Sequence, residues 1–175
     1  GATQRTDCAF GFDPSRPDVR PYSYPLATPA DIERVLATAA SAAAKLATSQ
    51  AVERAGWELP DVDFLATTTC TGRLCPSLDA RLIAPLGLKP SIQRVHVGDT
   101  GCASAMVALE QAHNHLRAFP RHRAVVAAVE ICSAAYYLDD RLESAVAHAI
   151  FADGAAALAL STTGEGPGII EHRTI

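Results

Sequence analysis

The chain has 175 residues, 49% hydrophobic and only 6% aromatic, which suits one alanine- and valine-packed α/β domain and is too little for two. Fifteen basic against nineteen acidic residues leave a net charge of −4 with no basic run, which argues against nucleic acid or an anionic membrane surface as a partner. Five cysteines (Cys8, Cys70, Cys75, Cys102 and Cys132) are an odd number in a chain too large to need covalent staples, so a reducing, cytoplasmic compartment is expected. Cys70 and Cys75 are close enough in sequence to pair or to share a metal. Their spacing fits no common zinc pattern, however, and no metal site is expected. Glu33, Arg34, Lys45 and Glu53 interrupt the long alanine-rich segment, so no membrane span is expected. Gly1 stands where an initiator methionine would, no signal-peptide pattern follows, and the start reads as a processing scar.

Residues 1–29 hold five of the eleven prolines, each fixing its own φ and discouraging helix in the residue before it, so an extended arm is expected there. Thr28-Pro29 then reads as a cap and first helical position. Val35, Leu36, Ala39, Ala42, Ala43 and Leu46 follow on one helical face, and the helix should stop near Ala55 at Gly56. Val62 to Thr69 reads as a strand, Ser77 to Leu86 as a short helix and Ile92 to Val97 as a second strand. Cys102 to Phe119 reads as a helix with Met106, Leu109, His113 and Leu116 on one face, closed by Pro120. Ala124 to Val129 is a continuous apolar run, as in a strand covered on both faces of a parallel sheet. Asp140 to His148 reads as helix, and Ala155 to Leu160 and Gly168 to Thr174 as strands. The alternation predicts an α/β fold with a mixed, mainly parallel sheet covered by helices.

Within this frame, Val97-Gly98-Asp99-Thr100-Gly101-Cys102-Ala103-Ser104-Ala105 ends a strand, opens on glycines and starts a helix at a thiol. Unpaired N–H groups and the positive end of a helix dipole favour the thiolate, which is the nucleophile. Taken alone, Gly-Cys-Ala fits a small buried hydrophobe as well as a nucleophile. His113 and His115 are two residues apart on one helix and face different ways, so they do not chelate one ion. Asp139-Asp140-Arg141 reads as the cap of the following helix. Glu130 ends a buried strand, where a carboxylate must be hydrogen-bonded, so it is either a structural bridge or part of a site.

Four linked stretches resemble the thiolase superfamily, specifically the chalcone-synthase-like type III polyketide synthases of bacteria. They are Cys70-Thr71-Gly72 with Pro76-Ser77-Leu78-Asp79-Ala80-Arg81-Leu82; Gly101-Cys102-Ala103; Val129-Glu130-Ile131-Cys132-Ser133; and Ala149-Ile150-Phe151-Ala152-Asp153-Gly154-Ala155-Ala156-Ala157. The resemblance covers residues 30–175 and implies the N-terminal half of a thiolase fold, with residues 1–29 as an arm ahead of it. It implies that Cys102 takes an acyl group from coenzyme A as a thioester, with no bound cofactor. Phe151 would be a gatekeeping aromatic, Cys70, Cys132 and Ala135 would line a cavity, and Cys75 would cross a dimer interface. Small side chains at Cys132 and Ala135 hint at a long or bulky acyl chain. Ala152 stands where the family usually has glycine.

In this superfamily the nucleophile works with a histidine and an asparagine, or two histidines, supplied by the second half of a duplicated fold. None of His96, His113, His115, His122, His148 and His172 sits in a matching motif, and the sequence starts after the family's first strand and ends about where the second half would begin. The expected partners are therefore acyl-CoA thioesters and a complementary chain, in a homo- or hetero-oligomer. The leading reading is an acyltransferase component that loads an acyl-CoA on Cys102 and supports decarboxylative Claisen condensation with a malonyl-type extender. The alternative is a non-catalytic subunit that shapes the cavity or interface of a catalytic partner. A cysteine-dependent α/β-hydrolase would need Gly-x-Cys-x-Gly, and Thr100-Gly101-Cys102-Ala103-Ser104 lacks it.

Overall fold

The computed structural model describes residues 29–135, 141–164 and 166–171, so the proline-rich arm expected at the N-terminus lies, up to residue 28, outside the described residues. Helix α1 (Pro29–Arg54) opens on its proline, whose fixed φ suits a first turn, and the chain leaves it through Gly56 at φ +69°. Then follow β1 (Phe64–Thr69), α2 (Leu78–Leu86), β2 (Gln93–Gly98), α3 (Ser104–Ala118), β3 (Ala124–Glu130), α4 (Leu142–Ile150) and β4 (Gly154–Leu160). One sheet results, in the order β2-β1-β3-β4, with the first three strands parallel and β4 antiparallel to β3. This is the mixed, mainly parallel α/β sheet the sequence predicts.

Covering on both faces explains why every residue of β1 is buried and why β3 reads as a nearly unbroken apolar run. Helices α1 and α2 close one face, where Leu36, Ala40, Ala44, Leu78 and Leu82 meet Leu65, Val125 and Val129. Helix α3 closes the other, setting Ala108, Ala112 and Leu116 on Phe64, Ala66, Val97 and Val126. Helices α1 and α3 approach the sheet through alanine, which allows close contact and fixes which face turns inward.

That preference corrects two expected faces. On α1 the buried stripe is Leu36, Ala40, Ala44, Thr48 and Val52, at every fourth residue, while Val35 and Leu46 are exposed. On α3 it is Ser104, Ala108, Ala112, His115 and Leu116, while Met106 is exposed. Helix α3 also begins two residues later than expected, at Ser104, because Asp99 and Gly101 both take positive φ and fold the intervening chain into a turn. Of the strand expected over Gly168 to Thr174, residues 168–171 are irregular and the remainder lies outside the described residues. Asp139 and Asp140, expected as caps, also lie outside them; Arg141 occupies the N-cap of α4 without a side-chain capping bond.

Parallel β1, β2 and β3 end on the same edge of the sheet, and antiparallel β4 begins there, with Gly154 opposite Glu130. Four chain segments therefore meet at that carboxyl edge: residues 70–77, 99–103, 131–135 and 151–153. In open α/β sheets this edge is where ligands bind. Near it the surface is unusually apolar. Leu142, Val146 and Ile150 recur every fourth residue along α4 and all are exposed, as is Leu158 on β4. Helix α3 lies over β1, β2 and β3 and leaves most of its face of β4 bare.

Candidate active site

Cys102 sits, exposed, in the turn that leads from β2 into α3. The turn is closed by the Ser104 N–H donating to the Gly101 carbonyl at 3.0 Å, with Gly101 at φ +78°. The thiol is therefore just ahead of the helix and not on its first turn, still on the side where α3 presents its unpaired N–H groups.

Cys70 comes to this turn from the end of β1, bringing together two residues 32 positions apart. Its Sγ donates to the Gly101 carbonyl at 3.0 Å and lies 3.5 Å from the Ser104 hydroxyl. Its own N–H donates to Glu130 Oε1 at 2.8 Å. Glu130 is thus a bridge between β3 and the loop after β1. The Thr69 hydroxyl reaches the same carboxylate at 3.4 Å and the Thr71 hydroxyl at 3.1 Å, and Thr71 Oγ1 accepts the Ile131 N–H at 3.0 Å. These hydroxyls and the carboxylate lace the ends of β1 and β3 together.

The rest of the loop after β1 is held from below. A Cβ on Gly72 would stand 2.3 Å from Leu36 Cδ1, so the glycine lets the loop rest on α1 without displacing that buried side chain. Arg81 of α2 donates to the carbonyls of Cys75 and Pro76 at 3.2 and 2.7 Å, which leaves Cys75 exposed at the loop's rim. Arg73 pairs with Asp99 of the turn that carries Cys102 at 3.2 Å, both side chains exposed.

Cys132 follows β3 and is half-buried. Burial, and then the charges of Glu130 and Asp153, push its thiol up, so it is held protonated and is a poor nucleophile. Asp153 fastens the same segment, accepting the Ser133 N–H at 2.8 Å and the Ser133 hydroxyl at 2.7 Å. Two residues before it, Phe151 caps the end of α4 and is 53% exposed, which places a large aromatic on the surface of the carboxyl edge and not in the core. Ala152 needs no glycine-like backbone, because Asp99 alone among the described non-glycine residues has positive φ. Ala135 ends the short 3-10 turn after Cys132.

The sheet therefore gathers Cys70, Cys102, Glu130, Cys132 and Phe151 on one edge, with Cys75 at its rim. Ser104, Thr69, Thr71 and the Ser133–Asp153 pair belong to the same arrangement and carried no expected role. The one signal for them was the hydroxyl-rich Thr67-Thr68-Thr69 strand end running into Cys70-Thr71. No group of three or more metal-ligating side chains occurs among the described residues. None of their helices is long and apolar enough to cross a membrane.

The mixed α/β sheet is of the thiolase-like class found in solved type III polyketide synthases. Residues 29–167 match the FAE1/type III polyketide synthase-like family, and the chain belongs to it. It is 40% identical over 121 residues to 1,3,6,8-tetrahydroxynaphthalene synthase of Streptomyces peucetius subsp. caesius, a match covering 69% of this chain and 32% of the relative. It is 40% identical over 103 residues to the alpha-pyrone synthesis polyketide synthase-like Pks18 of Mycobacterium tuberculosis, covering 59% and 26%. The crystal structure of 1,3,6,8-tetrahydroxynaphthalene synthase from Streptomyces coelicolor A3(2) superposes with a TM-score of 0.72 at 29% identity, covering 77% of this chain and 39% of that one. The chain thus spans about a third of the length of the curated relatives it matches.

Proposed function

We propose that this chain is the nucleophile-bearing half of a type III polyketide synthase. The single observation that carries the reading is the exposed Cys102, set in the turn between β2 and α3 at the carboxyl edge of the sheet. In the loading step the Cys102 thiolate attacks the carbonyl carbon of an acyl-CoA, the new C–S bond replaces the bond to coenzyme A, and the departing CoA thiolate takes up a proton. In the condensing step a malonyl-type extender loses carbon dioxide, its α-carbon attacks the bound acyl carbonyl, and Cys102 leaves as thiolate. Acyl-CoA and malonyl-type thioesters are substrates in this scheme, and no bound cofactor takes part.

Cys70, Cys132, Ala135 and Phe151 are read as lining the acyl cavity, Glu130 as holding its wall and Cys75 as reaching across a subunit contact. Four free cysteines among the described residues accord with a reducing, cytoplasmic setting. The general base and the oxyanion donors are assigned to a complementary polypeptide carrying the histidine and asparagine, since condensation needs them within hydrogen-bond reach of the sulfur. The exposed Leu142, Val146, Ile150 and Leu158 support such a partner, because an obligate interface is large and apolar. Residues 1–29 are read as an arm and 30–175 as the partial domain.

Intact mass after incubation with a panel of acyl-CoAs, with and without the co-expressed complementary half, tests the reading. One acyl group should be added to the wild-type chain and none to Cys102→Ala, and condensation should need the second half. Acyl label on Cys70, Cys75 or Cys132 with Cys102 bare would overturn it. A chain that makes product alone would remove the partner.

A further inference from the structure

We infer that Cys70 is a positioning residue for the nucleophile turn, acting on Cys102 through the Gly101 carbonyl and Ser104. This rests on the reading of Cys102 as the nucleophile and adds to Cys70 a role distinct from lining a cavity.

The sulfur of Cys70 straddles Cys102 along the chain, meeting the residue before it and the residue two after it. The Gly101 carbonyl receives both the S–H of Cys70 and the N–H of Ser104, so one oxygen fixes the turn from outside and from within. Cys70 itself is anchored, because Glu130 holds its N–H at 2.8 Å. A continuous chain of contacts therefore runs from the end of β3, through Glu130 and Cys70, to the turn that carries the thiol.

Among the described residues, the polar side-chain ties from elsewhere in the fold to residues 99–104 are this one and the Arg73–Asp99 ion pair. That ion pair lies in water, with the Arg73 side chain 90% exposed and Asp99 63%, and exposed pairs hold little. An S–H donor is weak. Its geometric effect is large here, because Gly101, at φ +78°, supplies no side chain to stiffen the turn. Loss of the S–H frees the turn to rotate, and Cys102 then samples orientations away from the one the turn now presents at the start of α3.

Alkylation by iodoacetamide at fixed pH, resolved by peptide, reads this directly. The tryptic peptide Val95–Arg117 contains Cys102 and no other cysteine, and Cys70 falls in Ala55–Arg73. For Cys70→Ala the Cys102 rate at pH 7.5 should fall about tenfold. Cys70→Ser keeps a donor and should restore most of the rate. Melting temperature should hold in both variants, since Cys70 is exposed. If Cys70→Ala changes which acyl-CoAs are accepted while the Cys102 alkylation rate stays as in wild type, Cys70 only lines the cavity and the inference fails. If Cys70→Ser is as impaired as Cys70→Ala, the hydrogen bond is not the cause and it fails again. A wild-type Cys102 that is alkylated but never acylated by any acyl-CoA defeats the proposed function and leaves this test standing.

Discussion

The two edges of the sheet are built from opposite materials. At the amino edge the loops are fastened by charge. Asp63, at the foot of β1, accepts the Arg123 N–H at 2.8 Å and the Lys89 ammonium, its own N–H reaches the Arg123 carbonyl at 2.8 Å, and its carbonyl takes the Gln93 N–H at 3.0 Å. One residue thus ties the loops before β1, β2 and β3. Beside it, buried His115 is stacked on Phe64 and hydrogen-bonded to His122 at 2.9 Å. At the carboxyl edge the fastenings are hydroxyls, one carboxylate and a thiol, and the segments they hold stay largely exposed. The amino edge spends its polar groups on fixing the sheet, which leaves the other edge to carry reactive side chains on lightly held turns.

The largest expected effect is at the amino edge. Asp63→Ala leaves the Arg123 N–H and Lys89 without their acceptor and should cost about 2 kcal/mol, read as a lower urea midpoint at unchanged slope. Cys102 alkylation in the folded protein should not change, and a parallel loss of Cys102 reactivity would break the separation of the two edges. Glu130→Ala should do the reverse, costing about 1 kcal/mol of stability. It should nonetheless slow Cys102 alkylation severalfold, because Cys70 loses its anchor.

Acid should act mainly on the amino edge. Burial pushes the Asp63 carboxyl up, but Lys89 and the Arg123 N–H outweigh it and hold it below the usual carboxylate range. Asp79 of α2 behaves alike, with Ser77 and Arg94 outweighing burial. A depressed carboxyl stabilises the fold above its unfolded pKa, so this contribution should fade as pH falls below about 4. His115 is held below its ordinary value by burial and then by the neighbouring His122 charge. The unfolded chain therefore takes up that proton first, and stability should begin to decline as pH drops through about 6.5. Urea midpoints between pH 8 and pH 3 would show a shallow fall and then a steeper one, and His115→Gln should remove the first. The smallest effect concerns Cys132, whose raised pKa should make it slower to alkylate at pH 7.5 than Cys70 or Cys75 in the same digest.

Much of the frame was legible because it rests on local physics. Pro29 and Gly56 bracket α1, and the apolar run of β3 announces a strand covered on both faces. The inward faces of α1 and α3 match the sequence pattern at Leu36, Ala39, Ala43, Leu109 and Leu116, but Leu46 and Met106 face outward because the sheet selects small residues such as Ala44 and Ala108 that permit close approach. The start of α3 was misplaced because nothing local tells a helix-starting Cys102 from one in a turn made by positive φ at Asp99 and Gly101. At the site, Cys102 and Glu130 stood out by position. The bonds joining Glu130 to Cys70 and Cys70 to Gly101 span 60 and 31 residues, and no periodicity encodes such pairs.

Strand β4 is an outer strand of the sheet among the described residues, and its sequence, Gly154-Ala155-Ala156-Ala157-Leu158-Ala159-Leu160, holds no charge and no proline. Natural edge strands are usually blunted by one or the other. Kept alone at high concentration, the chain therefore offers a template on which other β-prone segments can add. Turbidity and thioflavin fluorescence should rise with storage, and a lysine at Ala156 should suppress both. The strand that completes the sheet is, from the standpoint of purification, also its weakest point.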